Sequence, residues 1–207
     1  MPDQFPMHYD LQGNITSYSP KSYGILLLPN ILQVFMTLLM MFINWSISRS
    51  KQQLNPASPE ASSSKNAIFR QRWSFFNWLS SLALVFLFLF MQITIIYQVN
   101  PEVIPIISLI IPILIVAGAV VVSFTTGQGG SRIKRDAVIG KQTGAVPVDD
   151  DRFWKLGGST YYNPEDPSIF IEKRIGIGWT ANFARPMAWV FVFAPILVII
   201  LLLIFAT

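Results

Sequence analysis

The 207-residue chain has no cysteine and a single histidine, His8. Without cysteine there can be no disulfide bond, thiolate zinc site or cysteine nucleophile. Metal-assisted hydrolysis requires a cluster of histidine and carboxylate ligands, which one histidine does not supply. We therefore expect this protein not to be an enzyme and to need no cofactor.

Charged residues are also scarce, at 13% of the chain, whereas hydrophobic residues make up 52%. Four long runs are free of Asp, Glu, Lys and Arg, at residues 24–45, 75–99, 103–124 and 188–206. About 20 helical residues cross a bilayer core of about 30 Å, and a charge placed at its centre is costly. The runs predict an all-α integral membrane protein with four transmembrane helices.

The Lys and Arg residues are concentrated in two of the segments between these runs. Residues 46–74 contain five and residues 125–187 contain nine, against one in residues 1–23. Positive residues tend to stay in the cytoplasm. We predict that both basic segments are cytoplasmic and that both ends of this chain lie outside. The basic residues near 132–135 are expected to bind anionic lipid headgroups.

The first basic segment, residues 46–74, is predicted to be a flexible loop. Its middle, NPASPEASSS, is rich in proline and serine and has no apolar periodicity. The second begins with TTGQGGSRIKRD, which lacks the GxxxxGK[ST] pattern of a phosphate loop. We interpret its GQGG as the C-cap of the third helix and a flexible exit from the bilayer.

The remainder of the second segment is too aromatic for a disordered linker. Short alternating stretches and the NPEDP turn, where Asn163 can cap the backbone, predict a small ordered module of α+β or irregular structure. We expect Trp154, Phe170 and Trp179 to pack together as its core.

Carboxylates are the one plausible source of chemistry in this module. The acidic residues are Asp149, Asp150, Asp151, Glu165, Asp166 and Glu172. Three consecutive aspartates do not converge on an ion in a helix or a strand, and the EF-hand spacing is missing. A capping or solvated turn is the favoured interpretation, and no metal site is predicted.

Two stretches resemble known bacterial membrane proteins. MPDQFPMHYDLQG resembles the Pro-x-x-(Ile/Phe)-Pro-x-His-(Phe/Tyr)-x-x-x-Gly segment of the SdpI-like family. DDDRFWKLG…YYNPEDPSIFIEKRIGIGWTANF resembles a domain of unassigned function that often follows it. The matching positions are Pro2, Phe5, Pro6, His8, Tyr9 and Gly13 in the first, and Asp150, Trp154, Asn163, Pro164, Asp166, Pro167, Lys173, Gly176, Gly178, Trp179, Thr180 and Asn182 in the second.

The resemblance implies a bacterial cell membrane protein. In relatives the first segment follows a transmembrane helix, so a complete version would have five helices, and Asp10 stands where Asn is common. The family includes proteins that protect against a peptide toxin and hold a transcriptional repressor at the membrane.

We therefore hypothesise a non-enzymatic immunity or signalling protein, in which His8, Asp10 and Gly13 contact an extracytoplasmic peptide. The inner module would bind a cytoplasmic regulatory protein through Asp150, Trp154, Asn163, Asp166, Lys173, Arg174, Trp179 and Asn182. Direct nucleic acid binding is not expected, and an oligomer is possible. The alternatives are an accessory subunit of a membrane transporter and, less favoured, a divalent-ion-dependent membrane enzyme using Asp150, Asp151 and Asp166.

Overall fold

The computed structural model describes residues 4–10, 12–20, 22–97, 99–134 and 150–206. The chain begins with two strands, β1 (Gln4–Tyr9) and β2 (Ile15–Pro20), followed by α1 (Tyr23–Arg49), α2 (Pro59–Ile96) and α3 (Val103–Thr126). The short strands β3 (Trp154–Lys155), β4 (Thr160–Tyr161), β5 (Phe170–Glu172) and β6 (Trp179–Ala181) come next, and α4 (Pro186–Ala206) is last.

Three of the described helices are long and apolar enough to cross a bilayer: α1, α2 and α3 with its short extension to Gly130. This agrees with the expected membrane protein. The helix α4 is also apolar, but its role as a fourth span stays a prediction. α1 and α3 both pack against α2, and α4 contacts α1. The helix α2 is therefore the centre of the described bundle.

The predicted loop at residues 46–74 is wrong in its second half, because α2 already begins at Pro59. Pro59 occupies the first turn, where a missing N–H is harmless, and Glu60 favours the positive end of the helix dipole. Further along, Asn66 and Phe69 are buried. Tertiary packing on this face outweighs the poor helix propensity of the serine run.

The predicted C-cap of the third helix is confirmed. Gly127 has a φ of +63°, and its N–H donates to the Ser123 carbonyl at 3.0 Å. The expected flexible exit is instead a short 3₁₀ turn at Gln128–Gly130 that packs on α2. The Gln128 side chain bonds the backbone of Lys173 and Gly178, which holds this turn to the later part of the chain.

The N-terminal residues form an antiparallel hairpin of β1 and β2, which the sequence analysis did not predict. The pairing is irregular between Pro6 and Tyr9, as expected where a proline interrupts the ladder. Phe5 is buried, so the hairpin has an apolar side although the segment is polar overall.

Residues 150–185, which we call the module, contain two antiparallel strand pairs, β3–β4 and β5–β6. The predicted core of Trp154, Phe170 and Trp179 is wrong. Trp154 packs with Tyr161 and Ile171. Phe170 contacts aromatic rings of α1 and α4, and Trp179 contacts rings of α2. Neighbouring strand residues face opposite sides, so Ile171 points into the module and Phe170 towards the helices.

Candidate functional site

The hairpin is seated on the turn between α2 and α3. Gly13 has a φ of +86°, and a Cβ at this position would lie 2.5 Å from the Pro101 carbonyl oxygen. No larger residue fits this approach without moving one of the two backbones. The turn itself is fixed by Asn100, whose side-chain oxygen accepts from the Glu102 N–H at 3.0 Å.

Asp10 closes the hairpin loop. One carboxylate oxygen accepts from the backbone N–H groups of Gln12 at 3.0 Å and Asn14 at 2.7 Å. The other accepts from the Asn14 side chain at 2.8 Å. The Asn14 side chain, helped by these backbone bonds, lowers the pKa of Asp10 below its ordinary value. The carboxylate is therefore ionised at neutral pH, while all these donors are uncharged.

A cavity of about 430 Å³, here called the hairpin cavity, lies beneath this loop. Pro6, Tyr9 and Asp10 line it from the hairpin, and α1, α2 and α3 each contribute four residues. Its size falls in the range of small-molecule sites, about 300–1,000 Å³. A neighbouring cavity of about 400 Å³ shares Pro6, Tyr9, Thr94 and Ile95 with it.

Tyr9 lies between the two cavities. Burial, with a smaller contribution from Tyr18, raises the pKa of Tyr9 above its ordinary value. The hydroxyl therefore stays protonated at physiological pH and can donate or accept a hydrogen bond.

At the other end of α2, the module is held by a fully buried carboxylate. Glu172 accepts from the Asn66 side chain at 2.5 Å and from the Arg70 guanidinium at 3.1 Å. It also accepts from the Gln53 N–H at 3.1 Å, and Arg70 bonds the Ser50 carbonyl at 2.6 Å. This network joins the module, α2 and the segment after α1.

A second carboxylate, Asp166, binds Lys51 at 2.6 Å and the Tyr161 hydroxyl at 3.1 Å. Burial alone would raise the pKa of Asp166, but the hydrogen bonds from Lys51 and Ser168 outweigh it and lower the pKa to about 2. The bond to Asp166 in turn raises the pKa of Lys51. Backbone pairing of Lys51 with Ile171 places the two charges together.

Asn182 organises the turn of the NPEDP sequence. It is fully buried, accepts from the Asn163 N–H at 3.0 Å, and donates to the carbonyls of Asn163 and Asp166. The predicted capping role of Asn163 is confirmed, since its side chain accepts from the Glu165 N–H at 2.9 Å.

The module also forms a cavity of about 530 Å³ with both polar and apolar lining residues, here called the module cavity. Lys51, Asp150, Asn163 and Arg174 are among its lining residues, together with Gln52 and Gln53 from the segment after α1. Arg174 pairs with both Asp150 and Asp151, so neighbouring aspartates are joined by a cation from a distant position. Among the described residues, no three His, Cys, Asp or Glu side chains are grouped to hold a metal ion.

The predicted site residues are distributed between these features. Asp10 lines the hairpin cavity, whereas Gly13 contacts the helical turn instead, and the side chain of His8 and all of Asp149 lie outside the described atoms. Asp150, Asn163 and Arg174 line the module cavity. Trp154, Asp166 and Asn182 are buried inside the module, Trp179 lies against α2, and Lys173 offers its carbonyl to Gln128.

Sequence reasoning missed the group of Asn66, Arg70 and Glu172. Asn66 and Arg70 are four residues apart, which places them on one helix face, and the Arg70 Nε donates to the Asn66 side chain at 2.7 Å. That spacing is visible in the sequence, but it does not show what the pair binds. Its distant partner Glu172 carries no local signal.

Comparison with known proteins gives two matches to families of unknown function. Residues 1–32 match a domain of unknown function (DUF1648), and residues 164–189 match a family of unknown function (DUF5808). The first contains the hairpin and the beginning of α1, and the second contains the last four residues of the NPEDP turn and β5–β6. No curated protein and no solved structure gives a significant match. With the three long apolar helices, these matches indicate a membrane protein.

Proposed function

We propose that this chain is a non-enzymatic, multi-pass protein of the bacterial cell membrane, with four spans, the hairpin outside and the module in the cytoplasm. Its role is immunity or signalling of the SdpI-like kind. It binds an extracytoplasmic ligand beneath the hairpin and a cytoplasmic protein on the module.

The observation that carries this proposal is the continuity of α2. Phe88, Thr94 and Ile95 line the hairpin cavity, while Asn66 and Arg70 hold Glu172 of the module. Arg70 and Thr94 are separated by about 36 Å of one uninterrupted helix, at about 1.5 Å per residue. A ligand that shifts α2 at one end would therefore act on the element that holds the module at the other.

The module cavity supports the choice of partner. It is lined by Lys51, Arg174, Asp150 and Asn163, whose charges of both signs and amide group suit a polar peptide segment. It lies beside Gln53, which is exposed and precedes the start of α2 by a few residues. The resemblance to proteins that hold a regulator at the membrane agrees with this assignment.

The test is a photo-crosslinking amino acid at Gln53 in living bacteria. We expect an adduct with one soluble regulatory protein whose yield changes when a candidate peptide toxin is added. The matched control carries the crosslinker at Leu114, which is 64% exposed on α3. Identical adducts at Gln53 and Leu114 would contradict the partner site. Adducts with transport subunits alone would favour an accessory role instead.

The immunity role has its own test. Cells that produce the protein should survive a peptide toxin that kills cells lacking it. Equal survival of cells with and without the protein, for every candidate toxin, would contradict the immunity role. The signalling role would then be tested by the crosslinking experiment alone.

A further inference from the structure

The hairpin cavity has a polarity that points to one class of ligand. Its helical wall is mostly aliphatic and aromatic: the α1 residues Ile25, Leu28, Pro29 and Leu32 repeat at the spacing of one helix face. The two other helices add further apolar residues, among them Phe88 and the largely buried Ile104. Such walls suit an apolar chain.

Two helix prolines each leave one helix carbonyl without its usual donor. Pro29 and Pro112 lie inside α1 and α3 and have no N–H group. The carbonyls four residues earlier, those of Ile25 and Ser108, therefore lack their usual helical donor, and both residues line the cavity. The Thr94 hydroxyl, by contrast, is already donated to the Met91 carbonyl at 2.8 Å.

The charge of the cavity is negative. Among its fifteen described lining residues, Asp10 is the one that is charged at neutral pH. Its hydrogen bonds come from uncharged amides of Gln12 and Asn14, so they satisfy oxygen atoms without cancelling the charge. Asp10 belongs to the hairpin, Ile25 lies in the first turn of α1, and Ser108 lies in the second turn of α3. The deeper residues, such as Leu32 and Phe88, are apolar.

We propose that the hairpin cavity binds an apolar chain with a cationic, hydrogen-bond-donating head, such as an ammonium group. The head lies near Asp10 and the acceptors of Ile25 and Ser108, and the chain extends between α1, α2 and α3. This inference deepens the proposed function, on which it rests, by naming the chemistry of the extracytoplasmic ligand. An amine-bearing amphiphile and an apolar peptide with one lysine share this chemistry.

The test uses the full chain in nanodiscs of zwitterionic lipid and an alkylamine with a photoreactive group in its chain. Labelled positions are mapped by peptide mass spectrometry. We expect labels on residues of the cavity wall. Dodecylamine should displace the probe at about tenfold lower concentration than dodecyl sulfate, which corresponds to a difference in binding free energy of about 1.4 kcal/mol. The apolar peptide with one lysine is the second competitor. Displacement by the peptide at lower concentration than by dodecylamine assigns a peptide source, and the reverse order assigns a free amphiphile.

Three variants make the result specific. Ser108→Phe places a ring in the cavity and should reduce labelling about tenfold, whereas Val116→Phe, on an exposed position of the same helix, should label like the parent. Asp10→Asn keeps an oxygen for the loop hydrogen bonds but removes the charge. It should reduce labelling by the alkylamine and abolish the preference for dodecylamine over dodecyl sulfate.

Labels spread evenly over the lipid-facing residues, or equal competition by dodecyl sulfate in the parent, would overturn the ligand class. That failure is distinct from failure of the proposed function. A persistent adduct at Gln53 with no specific amine labelling would reject the ligand alone. Specific amine labelling with no adduct would reject the cytoplasmic partner alone.

Discussion

At the module end of α2, a fully buried Glu172 is bonded to Asn66 and Arg70, residues more than a hundred positions earlier in the chain. At the hairpin end, the acid Asp10 is bonded to Gln12 and Asn14 of its own loop. The module is thus fastened to α2 by charge-assisted hydrogen bonds. The hairpin is seated by the close approach of Gly13 to Pro101, and its Phe5 is buried.

The two attachments differ in how easily they open. Breaking the module attachment leaves charged groups buried and unpaired, which costs several kcal/mol. Lifting the hairpin separates the backbones of Gly13 and Pro101, and among the described residues no ion pair joins the hairpin to the helices. A ligand site needs a part that can move, and such parts come from the less stable regions of a fold. The hairpin meets this requirement better than the module.

The largest effect is expected for Glu172→Ala. It leaves Arg70 and Asn66 without their buried partner, at a cost of about 3–5 kcal/mol. The module should detach from α2, which is measured as a lower melting temperature and rapid protease cleavage after α3. Glu165→Ala, at an exposed acid in the same module, should behave like the parent. Equal protease resistance of both variants would show that the buried pair does not hold the module.

Trp179→Ala should lower the free energy of unfolding by about 3 kcal/mol. The indole packs on Phe69 and Trp73 of α2, with ring centroids 5.3 Å and 6.3 Å away. The loss should separate the module from α2 while the core around Trp154 and Tyr161 remains. Hydrogen exchange at β3 and β4 would then stay slow while exchange at β6 accelerates. Trp179→Phe keeps a ring in place as the control. Equal acceleration at β3, β4 and β6 would mean that Trp179 belongs to the module core after all.

Gly13→Ala should destabilise the hairpin by about 2 kcal/mol, because alanine resists a positive φ and its Cβ meets the Pro101 carbonyl. Faster hydrogen exchange confined to β1 and β2 is the expected readout. The control is Gly24→Ala, whose Cβ would lie no closer than 3.5 Å to the Ser22 hydroxyl. Unchanged exchange in Gly13→Ala would contradict the described seat of the hairpin.

The smallest effect concerns pH. The folded pKa of Asp166, about 2, lies below its ordinary value of 3.8, so its contribution to stability is full above pH 3.8 and is lost as the pH falls towards 2. Since the Lys51 side chain is half exposed, solvent screens the ion pair, and we expect the free energy of unfolding to fall by about 1 kcal/mol. Asp166→Asn should flatten that part of the stability profile. A wild-type profile that is flat between pH 4 and pH 2, on the scale of about 1 kcal/mol, would exclude this ion pair as a source of stability.

The sequence predicted the features that depend on local chemistry. Uncharged runs of about 20 residues gave the long helices. Gly127 predicted the end of α3 and Asn163 predicted a capped turn, and the structure contains both. Each of these depends on neighbours a few positions away.

The features that could not be predicted from the sequence depend on residues far apart in the chain. The start of α2 at Pro59 rests on the burial of Asn66 and Phe69 under the module, so serine-rich composition was misleading. Phe170 and Trp179 are predicted in the module core, but Phe170 packs on aromatic rings of α1 and α4 and Trp179 on rings of α2. The hairpin cavity was missed because its wall combines residues of the hairpin and three helices.

The central claim is that the hairpin and the module lie on opposite sides of the membrane, joined by α2. The chain has no cysteine, so single cysteines report one site each. Gln12→Cys in the hairpin and Glu165→Cys in the module, both at exposed positions, would be treated on intact bacteria with a membrane-impermeant maleimide. The account predicts that Gln12→Cys is labelled at once and Glu165→Cys only after the cells are opened. Labelling of both in intact cells, or of Glu165→Cys alone, would contradict it.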